Sequence, residues 1–358
     1  MRLVELTIAP LSVPLLEPFV IATATMTHTR AALVRAVVEG RGGLVVVGLG
    51  EAAALPPVTR EDQPELVAEL TRAAPRLEGR SFDLGTVASL LAEVDLGPVA
   101  RAALECALLD AAARLATVPL HRLLGSTGAP CALVTDITLP IADPEHLAHL
   151  ARGYRERGFE AFKIKVGKSL EGDRAVLGAV ARALPEARIR LDANEGYDAN
   201  EALGLLVTAR ELGLVVECFE QPCAREAPTE LAQVTREGGV PVVADESCRS
   251  LGDLEAIASG SLAHAVNLKL VKLGGVAQAL AVGRRARALG LGLMAGAMVE
   301  TRLGLSAMAQ VVTALGGVDW LDLDTAFLLA EDPFKGGYVA DGARLTLCEA
   351  SGLGVDLA

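Results

Sequence analysis

Short runs rich in valine, isoleucine, leucine and alanine recur through the second part of this chain, separated by stretches that read as helices. The runs at 131–139, 161–166, 187–191, 215–219, 240–244, 265–268, 292–295 and 320–323 predict eight strands. After the first run, Asp143 offers an N-cap and Pro144 a first helical turn, and Gly158 offers the stop. Helices predicted at 200–212 and 276–289 are closed by Gly213 and Gly290. Strand alternating with helix predicts a parallel α/β barrel, whose strands are buried on both faces.

The first 95 residues read differently. Runs at 33–39 and 44–49 flank Gly40-Arg41-Gly42-Gly43, a hairpin pattern. A helix is expected at 64–77, entered through proline. A longer one is expected at 99–116, alanine- and leucine-rich with no internal proline or glycine. This predicts a small α+β domain over 1–125 and a barrel over 126–325. The glycine-rich segment 326–358, strand-like at 344–348, is expected to return to the first domain.

Five charged residues punctuate the predicted strand ends: Lys165, Asp192, Glu220, Asp245 and Lys269, spaced 24 to 28 residues apart. That is about one strand, one helix and two loops. In a parallel barrel the carboxyl ends of all strands open on one face, where chemistry is built. Lys165 would end the second strand and Lys269 the sixth, opposite each other in a ring of eight. Asp192, Glu220 and Asp245 fill the arc between. Hard oxygen ligands with no histidine or cysteine favour Mg²⁺, with Mn²⁺ as the alternative, over zinc. Lys163 shares a strand face with Lys165. Like charge and a nearby cation both push a lysine pKa down, toward that of a general base. A metal between opposed lysines suits proton removal from carbon beside a carboxylate. The ion stabilises the charge that develops, one lysine takes the proton, and the other returns one to the opposite face.

Composition narrows the setting. A net charge of −12 argues against nucleic acid. The chain is 51% hydrophobic, yet no apolar run reaches the roughly 20 residues of a membrane span. Aromatic residues, at 3%, are too few for stacking platforms. Six cysteines form no CxxC pair, and the first residues lack the apolar core of a signal peptide, so reduced thiols in a cytoplasm are expected.

The motifs resemble the enolase superfamily, in its muconate-lactonizing-enzyme-like subgroup. Lys163-Ile164-Lys165-Val166-Gly167, Asp192-Ala193-Asn194-Glu195-Gly196-Tyr197, Glu220-Gln221-Pro222 and Ala244-Asp245-Glu246-Ser247 carry the resemblance. So do the stretches 267–275 and 298–301, and 119–125 looks like the junction between domains. The resemblance implies a capping domain over a (β/α)7β modified TIM barrel with one Mg²⁺. It makes Asn194, Glu246 and Lys272 supporting residues, with Glu300 of similar standing. Asp322-Leu323-Asp324 resembles the aspartate pair with which dipeptide epimerases hold a substrate ammonium, and Thr138 falls at a pocket position. Gly296 and Met298 are expected to line the pocket. Epimerases acting on Ala-Glu carry an arginine in the capping loop, and its place here is taken by Ala24; residues 20–27 hold no basic side chain. This implies a dipeptide with a hydrophobic C-terminal residue, or secondly a cationic one if Glu17 and Glu51 lie near the rim. A cycloisomerase or o-succinylbenzoate synthase reaction at the same site is the alternative, and a non-catalytic binding barrel ranks below it. The expected partner is the dipeptide alone, without nucleic acid or membrane, and the expected assembly is a homo-oligomer.

Overall fold

A three-stranded antiparallel sheet opens the chain, built from β1 (Arg2–Leu11), β4 (Arg30–Glu39) and β5 (Val45–Ala54), in the order β1-β4-β5. The predicted hairpin is present, with Glu39 paired to Val45, but its strands run ten residues each, longer than the apolar runs implied. Between β1 and β4 lies a smaller hairpin, β2 (Pro14–Val20) and β3 (Thr25–His28). The helices α1 (Gln63–Leu77), α2 (Val87–Ala92), α3 (Pro98–Leu115) and α4 (Leu120–Leu123) follow. Asp62 caps α1 by accepting from the Gln63 N–H. Helix α3 lies directly on β5 because Gly48 and Gly50 have no side chain. A Cβ at either position would come within 2.0 Å of the Ala107 or Ala103 carbonyl oxygen. Alanines 103, 107 and 111 complete that close contact.

The computed structural model describes residues 1–128 and 133–358. The run predicted as one strand over 131–139 is divided. Its start, Cys131 included, lies outside the described residues; β6 (Leu133–Val134) pairs with the C-terminal segment, and only β7 (Ile137–Leu139) enters the barrel. The other strands match their predicted bounds within two residues: β8 (Ala161–Lys165), β9 (Arg188–Asp192), β10 (Val215–Glu220), β11 (Val242–Ala244), β12 (Ala265–Leu268), β13 (Gly292–Gly296) and β14 (Trp320–Asp322). They form one eight-stranded parallel sheet in sequence order from β7 to β14. Helices α5 (Pro144–Glu156), α6 (Leu170–Ala183), α7 (Ala199–Glu211), α8 (Pro228–Glu237), α9 (Leu251–Gly260), α10 (Leu270–Leu273), α11 (Val276–Ala288) and α12 (Arg302–Leu315) alternate with them. Asp143, Ser169, Asp198, Ser250 and Thr301 cap five of these helices with their side chains. The barrel is therefore the expected (β/α)7β form with an α+β cap.

The first and last strands meet without a regular ladder. The Asp136 N–H donates to the Leu321 carbonyl at 3.1 Å, and the Leu323 N–H to Thr135 Oγ1 at 2.8 Å. After β14 the chain forms β15 (Phe334–Gly336), β16 (Tyr338–Asp341), β17 (Arg344–Leu347) and β18 (Val355–Leu357). Strand β17 pairs with β6 and β16, while Asp110 of α3 accepts from the Leu353 N–H at 2.6 Å. No helix among the described residues is long and apolar enough to cross a membrane.

Candidate active site

Strand register brings the charged residues together. Lys165 at the end of β8 pairs with Asp192 at the end of β9, and Asp192 pairs with Glu220 at the end of β10. Asp245 follows β11 by one residue, and Lys269 follows β12 by one. The loops behind these ends are close-packed. Gly196 faces Gly167, and a Cβ on Gly196 would lie 2.3 Å from the Gly167 oxygen. Gln221, held at a φ of +33°, turns its amide so that Oε1 accepts from the N–H groups of Asp245 (2.9 Å) and Ser247 (3.1 Å). The quoted motifs are thus also the supports that fix the carboxylates.

The acids and ammonium groups interlock in a buried interior. Lys163 Nζ lies 2.9 Å from Asp192, 2.6 Å from Glu220 and 2.7 Å from Asp322. Lys165 Nζ donates to Asp192 Oδ2 at 2.5 Å and to Asn194 Oδ1 at 3.2 Å. Across the barrel, Lys269 Nζ donates to Asp245 Oδ2 at 2.7 Å, and Lys272 to Asp245 Oδ1 at 2.5 Å and the Asn267 carbonyl at 2.9 Å. Asn194 Nδ2 reaches Glu246 Oε1 at 3.1 Å. All of these side chains are buried.

This environment sets the charges, and it corrects one expectation. The pKa values of Lys163 and Lys269 are raised, not lowered. Burial works to lower that of Lys163, but Asp192, Asp322 and Glu220 outweigh it and hold the group well above the usual lysine range. Lys269 is likewise raised by Asp245 and Glu220 against the pull of burial. For Asp192 and Asp245 burial favours the neutral acid, yet the lysines around them win and keep both below the ordinary carboxylate range. Burial, with Asp245 and Asp192 nearby, pushes Glu246 up to about 8. The expectation reckoned with a cation beside the lysines; unneutralised carboxylates reverse the sign.

At the last strand, Asp322 accepts from Lys163, and Asp324 Oδ2 accepts from the backbone N–H of Thr138 at 2.5 Å. Asp136, which sequence reading missed, joins them: carboxylate oxygens of Asp136, Asp322 and Asp324 lie within 4.8 Å of one another. Its place two residues before Thr138, on the same face of the chain, was the available signal. Arg190 pairs with Asp136 at 2.8 Å.

A cavity of about 20 Å³ lies at the centre, lined by Lys163, Lys165, Lys269, Thr138, Asp322 and Asp324. The cap closes it with Phe19, Leu55 and Val58, and the loop after β13 contributes Ala297, Met298 and Val299. Lys165 and Lys269 reach this one space from strands four apart in the ring. Gly296 lets Lys269 pass close by, since a Cβ there would lie 3.1 Å from the lysine Cε. Ala24 sits in the turn between β2 and β3 and does not line this cavity. Glu51 is not at the rim: it is buried and accepts from the Thr301 and Gly304 N–H groups at the start of α12. The five described cysteines are free, and none of the histidines touches the cluster.

Family models match the chain at both ends: the mandelate racemase/muconate lactonizing enzyme N-terminal domain over residues 3–125, and the enolase C-terminal domain-like family over 146–358. The chain belongs to this family of the enolase superfamily. It is 40% identical to an L-Ala-D/L-amino acid epimerase of Populus trichocarpa, over 96% of this chain and 82% of the relative. It is 38% identical to an aromatic dipeptide epimerase of Herpetosiphon aurantiacus, over 97% of each. A dipeptide epimerase from Enterococcus faecalis, solved with Mg and L-Leu-L-Tyr, superposes with a TM-score of 0.90 at 29% identity, covering 99% of this chain and 100% of that one.

The residues of this family member fit a hard divalent cation. The donors at the ends of β9, β10 and just after β11 are all carboxylates. Glu220 Oε2 is buried and makes no well-formed hydrogen bond, and the ammonium of Lys163 contacts Asp192 and Glu220 together. Buried carboxylate oxygens are the donors that magnesium takes.

Proposed function

We propose that this chain is a Mg²⁺-dependent dipeptide epimerase that inverts the α-carbon of the C-terminal residue, with Asp192, Glu220 and Asp245 as the metal ligands. The observation that carries the reading is the meeting of Lys165 and Lys269 in one space that Asp322 and Asp324 also line. A divalent ion held by Asp192, Glu220 and Asp245 would supply the positive charge that stabilises the developing carboxylate dianion and would lower the pKa of the nearby lysines. The chain's own residues do the rest. Asp322 and Asp324 hold the ammonium, with Thr138 fixing Asp324 through its N–H. Lys165 removes or returns the α-proton on one face and Lys269 on the other. Asn194 holds Lys165; Lys272 and Gln221 hold Asp245; Asn267 holds Glu220 at 2.7 Å. Lys163 carries positive charge between the metal ligands and the ammonium site. Phe19, Leu55 and Val58 exclude water, which strengthens each of these interactions.

A hydrophobic C-terminal residue is the preferred substrate. The apolar lining from the cap and from Met298 and Val299 supports this, as does the absence of arginine from 20–27. The name of the aromatic dipeptide relative is in keeping with it. Within this reading, 1–125 is the cap, 126–325 the barrel and 326–358 a return to the cap, supported by Asp110 and Arg114 of α3 binding Leu353 and Asp356. We assign the enzyme to a reducing cytoplasm, in keeping with its free cysteines, and as a homo-oligomer. The test is incubation of L,L-dipeptides with Mg²⁺ in D₂O. Deuterium should enter the C-terminal α-position with inversion, and its absence across a broad library would sink the assignment.

A further inference from the structure

The catalytic cavity, at about 20 Å³, has room for about one water, so a wall must move to admit a dipeptide. Three segments cover it: the hairpin bearing Phe19, the loop 297–299, and the turn bearing Leu55 and Val58. They are held differently. The loop 297–299 belongs to the barrel, directly after β13. The hairpin is bonded to the barrel side at two places: the Ile141 N–H donates to the Val20 carbonyl and the Ala330 N–H to the Pro14 carbonyl, each at 2.8 Å. The turn is knit to itself instead. The Leu55 N–H donates to Thr59 Oγ1 at 2.8 Å, the Thr59 N–H donates back to the Leu55 carbonyl at 2.9 Å, and Thr59 Oγ1 donates to the Glu61 carbonyl at 2.8 Å.

Among the described residues, one hydrogen bond joins residues 55–61 to the barrel. Arg249 Nη2 donates to the Val58 carbonyl at 3.1 Å, across 191 positions of sequence. The same guanidinium donates through Nε to the Glu246 carbonyl at 3.2 Å, one residue past Asp245. Its backbone is fixed in turn: the Arg249 N–H donates to Asp253 Oδ2 at 2.9 Å, and the Asp253 N–H to Ser250 Oγ at 3.1 Å. A planar guanidinium carries its donors at a set spacing, which lets it bridge two carbonyls that a lysine would reach one at a time. Arg249 does not line the cavity itself.

Resting on the dipeptide reading above, we propose that Arg249 is a positioning residue that latches the turn 55–59 over the bound dipeptide, setting how firmly substrate is retained without entering the chemistry. Breaking the latch leaves the lysines and the carboxylates where they are and lets Leu55 and Val58 lift from the site.

Arg249→Met tests this, because it keeps the apolar stem and removes both donors; Arg249→Lys keeps the charge and reaches one carbonyl. In the free protein, hydrogen exchange read by mass spectrometry over 52–62 should quicken about tenfold in Arg249→Met, the scale of one lost charged hydrogen bond. In Mg²⁺-saturated assays with L-Leu-L-Leu, KM should rise about tenfold on the same ground while kcat stays within threefold of wild type, with Arg249→Lys between the two. Should circular dichroism find Arg249→Met unfolded, Arg249→Lys decides alone. Exchange over 52–62 unchanged within twofold overturns the proposal, even if the urea midpoint falls, since the arginine would then serve the barrel alone. KM unchanged within twofold, or a loss confined to kcat, also overturns it and leaves the epimerase reading intact. If wild-type enzyme epimerises no dipeptide, that reading falls, and the exchange measurement by itself decides whether Arg249 holds the turn.

Discussion

Thr138 and Asp324 stand 186 residues apart in the chain, yet the backbone N–H of one donates to the carboxylate of the other at 2.5 Å. That bond crosses the seam where the first barrel strand meets the last. It ties the anion that should hold the substrate's ammonium to the neighbouring first strand. Asparagine keeps an oxygen for the Thr138 N–H but removes the charge. Asp324→Asn should therefore fold normally and lose about a hundredfold in kcat/KM for dipeptides, as expected from about 1.5–3 kcal/mol for a charged hydrogen bond. Steady-state epimerisation assays check this; a variant within threefold of wild type would remove Asp324 from the ammonium site.

The two aspartates of that pair are pushed apart in acidity. Burial favours the neutral form of both, but Lys163 overcomes it at Asp322 and holds that group ionised. At Asp324, burial and the neighbouring Asp322 charge raise the pKa to about 7. A bound ammonium favours the ionised form, so substrate binding should release a proton below about pH 7. The logarithm of kcat/KM should rise with pH, with a slope approaching one, and level off above about 7. The sign for folding is opposite. A pKa raised on folding adds stability that is full below the unfolded value near 4 and is lost as pH rises through 7. Asp324→Asn should flatten both profiles, in activity assays and in thermal unfolding across pH 5–8.

Lys165 and Lys269 reach the same cavity from strands four apart, so each should serve one face of the α-carbon. Lys165→Ala and Lys269→Ala should each lose epimerisation by about a thousandfold, the scale of a proton-transfer group. Each should still exchange the α-proton of one epimer, L in one variant and D in the other, without inverting it. Proton NMR in D₂O with L,L- and L,D-dipeptides reads this directly. If one variant exchanges both epimers, the two-base arrangement is wrong.

Much of this was legible in the sequence because the barrel repeats. One charge per βα unit fixes Lys165, Asp192, Glu220, Asp245 and Lys269 at strand ends whatever the details of the helices, and the strand bounds agree within two residues. Contacts between distant segments were harder to read. Asp136 lies just before β7 and Arg190 in β9, and neither carries a motif; only packing brings them together. Glu51 read as a rim residue because its exposure depends on where α12 begins. The 131–139 run looks like one strand, since a bend that sends β6 to the C-terminal segment leaves no mark in hydropathy. The lysine pKa direction depends on whether carboxylates or a metal dominate, which no strand pattern records.

Glu51 offers the last test. Its buried carboxylate, on β5 of the cap, accepts from the Thr301 N–H at 3.0 Å, Thr301 Oγ1 at 2.6 Å and the Gly304 N–H at 3.0 Å. It therefore caps α12 from another part of the chain, in the direction the helix dipole favours. The loop it steadies, Ala297 to Val299, lines the catalytic cavity. Alanine at this position strands three buried donors, at a cost of about 2–3 kcal/mol. Glu51→Ala should lower the urea midpoint and raise KM more than it lowers kcat, because the loop loosens while both lysines stay in place. Matched urea titrations and initial-rate assays check this. Unchanged stability would mean that α12 finds another cap, and a loss confined to kcat would mean that Glu51 acts on the chemistry instead of on the loop.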